Sequence, residues 1–178
     1  MNILGINYYF HDSSACVVSD GKLVVAIEEE RLTRQKHTDA FPERAIARCL
    51  QIAGLQAGDI DHIAISIQPG LDRGKKFTYG LRQGRSMFNF FKIETEVAWS
   101  KKGILRSWLS RTYDGAKRPQ VHFVPHHTSH AVGTFLVSPY ESAAVLSIDG
   151  SGELATIFNG VGKENTFQCL SQDYYPYS

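Results

Sequence analysis

The run His126-His127-Thr128-Ser129-His130 is the densest concentration of metal-ligating side chains in the 178-residue chain. On a helix, positions four apart share one face, about 6 Å apart along the axis. His126 and His130 can then offer imidazole nitrogens to one metal ion. His127 points roughly 100° away from them, a poorer ligand and a candidate substrate contact. Two imidazoles hold a cation weakly, so a third ligand is expected from elsewhere. Asp149, at the end of an apolar run and the head of a glycine-rich turn, is the natural one. Imidazole with carboxylate suits iron, zinc or manganese, and ligand type alone does not choose among them. The competing role for these histidines is helix capping or core packing.

Asp149-Gly150-Ser151-Gly152 has a second use. Glycines let backbone N–H groups approach an anion closely, so Gly150, Ser151 and Gly152 are candidates for cradling a phosphate. A tight hairpin would have the same composition. An earlier polar loop, Tyr8 to Ser14, carries His11 and Asp12. His11 is a candidate general base or substrate contact because imidazole titrates near neutrality. Asp12 is a candidate substrate-binding group, or simply the partner that steadies His11 within the loop. Lys36, in Arg34-Gln35-Lys36-His37, can neutralise a phosphate or polarise a carbonyl, or lie on the surface as an ordinary lysine.

The elements that must position these groups follow from pattern. Residues 2–7, Ala15–Ser19 and Leu23–Ile27 read as strands, the last two joined at Asp20-Gly21, a tight-hairpin signal. Phe41-Pro42-Glu43 opens a helix whose apolar face is Ala45, Ile46, Cys49, Leu50 and Ala53, with Gly54 at its C-terminus. Ile63–Ile67 and Val121–Val124 are further strands. Pro125 opens the histidine helix, and Ser138-Pro139 ends it. Ala143–Ile148 is a strand, Leu154–Phe158 its hairpin partner, and Phe167–Ser171 one more. Strands alternating with helices make an α/β layered fold. The opening order of strand, polar loop and hairpin strands recurs at 143–171, which predicts a duplicated fold. The expected division is a first lobe at 1–138, with a basic helical insertion at about 70–118, and the start of a second lobe at 139–178. With no helix following to cover its strands, that second lobe is expected to be truncated, because uncovered strands expose apolar surface.

Composition is that of an ordinary globular domain, 43% apolar and 21% charged. No stretch approaches the roughly 20 apolar residues a membrane helix needs. Three scattered cysteines, with no secretory signal visible, suggest reduced thiols and a cytoplasmic protein. Residues 70–118 hold 12 Lys/Arg against four acids, so this segment is +8 where the whole chain is +1. Such a block invites an anionic partner, or is a solvated helical face. Its aromatics, among them Phe77, Trp99 and Trp108, favour helices docked on a core.

Ile3-Leu4-Gly5-Ile6-Asn7, Phe10-His11-Asp12-Ser13-Ser14-Ala15, Glu28-Glu29-Glu30-Arg31 and Thr33-Arg34-Gln35-Lys36-His37 resemble the amino-terminal domain of the O-carbamoyltransferases. These are the nodulation-factor and antibiotic-tailoring type. His126-His127-Thr128-Ser129-His130-Ala131 and Asp149-Gly150-Ser151-Gly152-Glu153 continue the resemblance in order. It implies the duplicated actin/sugar-kinase-like fold (ASKHA, ribonuclease H-like), shared with the tRNA threonylcarbamoyl-transfer enzymes. It implies that a carboxy-terminal domain, outside this sequence, makes carbamoyl-adenylate from carbamoyl phosphate and ATP. The domain here would then pass the carbamoyl group to a hydroxyl of a small-molecule or sugar acceptor, helped by an iron-type metal. By position, His126, His130 and Asp149 would ligate the metal, His11 would contact the acceptor and Lys36 the carbamoyl donor. The family's fourth metal ligand, an aspartate of the second lobe, is not in this sequence, and the chain alone is expected to be inactive.

Two other readings compete. One is a tRNA threonylcarbamoyl-transfer relative, with the basic block as an RNA surface. The Phe-His-Asp-Ser-Ser and Glu-Glu-Glu-Arg signatures point instead to the small-molecule branch, where no nucleic acid is expected. The other is a non-catalytic nucleotide-binding or interaction module with structural histidines.

Overall fold

Burial alternates along the first strand, and the same alternation on its neighbours builds one buried sheet face. In this computed structural model, residues 1–9, 11–71, 74–78, 85–150 and 155–173 are described, with the backbone alone at 85–91, 93 and 94. They form two compact units, Met1–Ser66 with Lys92–Phe123, and Ile67–Phe91 with Val124–Ser178.

The first unit holds a five-stranded sheet in the order β3-β2-β1-β4-β5. Strands β1 (Asn2–Asn7), β2 (Ser14–Ser19) and β3 (Lys22–Glu28) form an antiparallel meander. Strands β4 (His62–Ile65) and β5 (Gln120–Phe123) run parallel on the other side of β1. Leu4 stands opposite Val17 and Ile63, and Ile6 opposite Ala15 and Ile65. All six are buried, as side chains with period two on paired strands must be when one face is covered. The Asp20-Gly21 turn has φ of 48° and 79°, the left-handed pair that a two-residue hairpin demands.

Helix α2 (Glu43–Ala53) packs on β2 and β3, with Ala45, Ile46 and Cys49 inward and Gly54 at φ 68° ending it. Pro42 lies just before the first turn. The charged run 28–31, which no periodicity marks as helical, forms the short helix α1 (Glu29–Thr33). Its Glu29 side chain is buried and accepts the N–H groups of Ala45 at 2.7 Å and Arg44 at 3.4 Å, so the start of α2 is capped from another element. Glu29→Ala is expected to cost about 1–2 kcal/mol in a urea unfolding curve, the usual cost of a lost N-cap. A change below about 0.5 kcal/mol would remove this cap from the fold's supports.

The basic segment is helical as expected, with one helix over Arg85–Thr112. Its later turns dock on the first unit through Leu105 and Trp108, the latter against Phe41 at 5.3 Å between ring centres. The buried Tyr8 hydroxyl donates to the carbonyl of Lys101 at 3.0 Å. The Lys101 ammonium in turn donates to the Asp39 carboxylate at 2.9 Å, which holds that carboxyl below the usual range. The aromatics are not all docked, however. Trp99 is 61% exposed and Phe77 54%.

The second unit repeats the opening meander. Strands β6 (Ser142–Ile148), β7 (Ile157–Lys163) and β8 (Thr166–Asp173) pair antiparallel in sequence order, as β1, β2 and β3 do. The helix His126–Leu136 packs on β6 and β7. The partner of β6 is therefore not Leu154–Phe158 but a strand that starts at Ile157, and Leu154 lies outside the described residues. Glycine weakens strands, yet this strand carries Gly160 and Gly162. Here rings occupy the space a side chain would take. A Cβ on Gly162 would lie 2.5 Å from the Phe135 ring, and one on Gly160 would lie 2.4 Å from Phe167. No helix among the described residues is long and apolar enough to cross a membrane.

Candidate metal centre

The helix starting after Pro125 places His126 and His130 one turn apart, and β6 ends at Ile148, so Asp149 leaves the sheet beside them. The Asp149 N–H donates to the Thr156 carbonyl at 3.0 Å, closing the strand end. His126 Nε2 lies 2.8 Å from Asp149 Oδ2 and 3.0 Å from His130 Nε2, which is itself 3.3 Å from the same carboxylate oxygen. Three donor atoms thus face one another, where one proton can bridge only two of them. Metal–ligand bonds of about 2.0–2.2 Å give ligand–ligand edges of roughly 2.8–3.6 Å in octahedral or tetrahedral shells, so the spacing suits a cation. His126 is largely buried, whereas His130 is 53% and Asp149 38% exposed, which leaves one side of the cluster open.

Electrostatics favour the ligand-competent protonation states of His130 and Asp149. Burial pushes the His130 imidazole below its ordinary value, and the neighbouring His126 adds to this, against the opposing pull of Asp149. Burial opposes the Asp149 carboxylate, but hydrogen bonds from His126 and from Gly150 N–H, with the two imidazoles, hold its carboxyl below the usual range. Neutral imidazoles and an ionised carboxylate are the forms that bind metals.

His127 lies elsewhere. It is 3% exposed, its Nε2–H donates to the Ala155 carbonyl at 2.7 Å, and Nδ1 accepts from the Ser147 hydroxyl at 3.0 Å. The ring lies parallel to Phe158, 6.3 Å away. With both nitrogens occupied inside the protein, it does not present the expected substrate contact. Its place is the seam between the histidine helix and the second sheet. Gly150 N–H donates to Asp149 Oδ1 at 2.6 Å and so orients the carboxylate, a different use from the anticipated phosphate cradle. Ser151 and Gly152 lie outside the described residues.

In the first unit, Asp12 receives two imidazoles. His11 Nδ1 is 2.6 Å from Oδ2 and His37 Nδ1 is 2.9 Å from Oδ1. Those two contacts, His37 first, hold the Asp12 carboxyl below the usual range. Ser13 N–H donates to the Thr38 carbonyl at 3.0 Å, so the segment carrying the exposed Lys36 folds beside the loop carrying His11. Asn7 clamps that loop, its amide donating to the carbonyls of His11 at 3.2 Å and Asp12 at 3.1 Å. Glu30 joins the group, its Oε2 accepting the His37 N–H at 3.1 Å. The charge of Glu28-Glu29-Glu30-Arg31 and the His37 at the end of its motif were visible in the sequence, but nothing in their spacing says that they meet Asp12.

Residues 2–178 match the family described as carbamoyltransferase N-terminus. The chain is 36% identical to an uncharacterised protein of Synechocystis sp., over 99% of this chain and 30% of that one. It is 34% identical to the nodulation protein NolNO of Sinorhizobium fredii, over 88% of this chain and 22% of that one. The chain therefore spans less than a third of the length of these curated relatives. Among solved structures, YeaZ from Pseudomonas aeruginosa superposes with a TM-score of 0.50 at 14% identity, covering 98% of this chain and 67% of that one. This likeness, with the mixed five-stranded sheet, identifies the fold as ASKHA-type, as the sequence implied. The family match runs through nearly the whole chain, and the chain belongs to the carbamoyltransferase amino-terminal family.

Proposed function

We propose that this chain is the acceptor-side domain of an O-carbamoyltransferase, which moves a carbamoyl group from carbamoyl-adenylate to a hydroxyl of a small-molecule or sugar acceptor. The observation that carries the reading is the convergence of His126, His130 and Asp149 on one point, with the donor atoms 2.8–3.3 Å apart. These residues fit a divalent cation, iron by family resemblance and zinc or manganese by ligand chemistry. A bound cation would supply Lewis-acid charge to the transfer.

The chain's own side chains carry the rest. His11 Nε2 takes the proton of the acceptor hydroxyl. The acceptor oxygen then bonds to the carbamoyl carbon, the bond from that carbon to the adenylate phosphate oxygen breaks, and AMP leaves with the electron pair. Lys36 neutralises the donor's phosphate. Carbamoyl phosphate and ATP are consumed in a separate carboxy-terminal domain, which the greater length of the relatives leaves room for. A cytoplasmic location suits this chemistry, since ATP and carbamoyl phosphate are cytoplasmic metabolites. Activity belongs to the whole protein, not to this chain alone.

Lys36→Ala in the full-length protein tests the assignment. The expected result is a rise of about tenfold or more in KM for the carbamoyl donor, with acceptor affinity unchanged. Equal losses for donor and acceptor would remove Lys36 from the donor site. Failure of the unaltered protein to carbamoylate any hydroxyl acceptor from carbamoyl phosphate and ATP would remove the function itself.

A further inference from the structure

We propose that Asp12 is the positioning residue for His11, held in place by a second imidazole, His37, whose own backbone is fixed by Glu30. The proposal deepens the carbamoyl-transfer reading and rests on it only for the identity of the hydroxyl that His11 deprotonates.

The argument is one of donors and acceptors. An ionised carboxylate can only accept hydrogen bonds. Both Asp12 oxygens are engaged by imidazole nitrogens, Oδ2 by His11 Nδ1 at 2.6 Å and Oδ1 by His37 Nδ1 at 2.9 Å. Each Nδ1 must therefore carry a proton. A neutral His11 then has its lone pair on Nε2, the atom away from Asp12, and its side chain is 70% exposed. That is the tautomer a general base for an incoming hydroxyl needs, selected by the hydrogen bond on the other nitrogen.

The carboxylate is itself anchored. Asp12 sits at φ 53°, in a loop tied down by Asn7, and His37 also sits at φ 53°. Glu30, 17% exposed, accepts the His37 N–H at 3.1 Å and pairs with Arg31 at 3.6 Å. Two residues in a conformation that disfavours side chains thus bring one carboxylate between two rings. Such local strain is a mark of functional sites. Asp12, Glu30 and His37 also bring one ligand atom each within 4.8 Å of one another. A cation held there is the rival use of the same atoms.

Asp12→Asn in the full-length protein separates these uses. Asparagine tolerates the left-handed backbone, and its amide can accept from only one of the two rings. With ¹⁵N-histidine labelling, assigned with a His11→Gln variant, neutral His11 is expected to show Nδ1–H and bare Nε2. In Asp12→Asn its tautomers are expected to mix. Transfer kcat is expected to fall by about 100-fold or more, the usual worth of a positioned base, with acceptor KM within about threefold. His37→Gln is expected to reproduce the tautomer mixing in part. A His11 tautomer unaltered by Asp12→Asn would overturn the proposal. So would a loss confined to acceptor KM, which would make Asp12 a substrate contact. Release of a second equivalent of bound zinc or manganese on Asp12→Asn would overturn it in favour of a cation site. If the tautomers respond as expected while no hydroxyl acceptor is ever carbamoylated, the positioning stands and the transferase reading falls.

Discussion

Replacing His126 or His130 by alanine in the full-length protein is expected to strip the metal and abolish carbamoyl transfer, while carbamoyl-adenylate still forms. The geometry sets the size of the effect. Each imidazole contributes one of this chain's three ligand atoms, which stand 2.8–3.3 Å apart, so its loss leaves this chain only two with which to hold the cation. Even altering a group that only orients a ligand costs about 10–100-fold in metal affinity. Loss of a ligand itself should exceed that. His130 is half exposed, so its removal leaves no buried cavity to unfold the chain. The check is metal content per protein with separate assays for adenylate formation and transfer. Loss of both reactions together would show that the division of labour between domains is wrong. Unchanged metal content in His126→Ala would return these histidines to a structural role.

His127→Ala is the second large effect, and it separates packing from chemistry. The ring is 3% exposed and meets the Ala155 carbonyl, the Ser147 hydroxyl and the face of Phe158. Truncation orphans a buried carbonyl and opens a cavity, together worth about 2–4 kcal/mol. The same ring pins the start of the helix that carries His126 and His130. Metal affinity is therefore expected to fall by about tenfold as the two imidazoles lose their fixed approach. Urea unfolding and metal titration of the same variant test both statements. A stability change below about 0.5 kcal/mol would mean that the seam does not depend on His127. Lost acceptor binding with stability intact would restore it as a substrate contact.

Much of the fold was legible because short-range backbone rules produce it. Short apolar runs marked β1, β2 and β3, the Asp20-Gly21 pair marked the turn between the last two, and Gly54 marked the end of α2. The restart of the pattern at residue 143 predicted the second meander. Strand β7, expected at Leu154–Phe158, lies at Ile157–Lys163. Its two glycines are poor strand residues and become acceptable there only when Phe135 and Phe167 lie over them. Those contacts join residues that no local rule connects.

The candidate site divides in the same way. That His126 and His130 share a helix face follows from 3.6 residues per turn, and that Asp149 ends a strand follows from the apolar run before it. Spacing turned His127 away from them but could not say that it turns inward, because burial depends on which sheet the helix covers. Nor could it say that Glu29 caps a helix 14 residues later, or that His37 reaches back to Asp12. Local sequence dictates which side chains share an element's face. The partners of those faces are chosen by packing between distant segments, and for this chain only the tertiary structure made that choice.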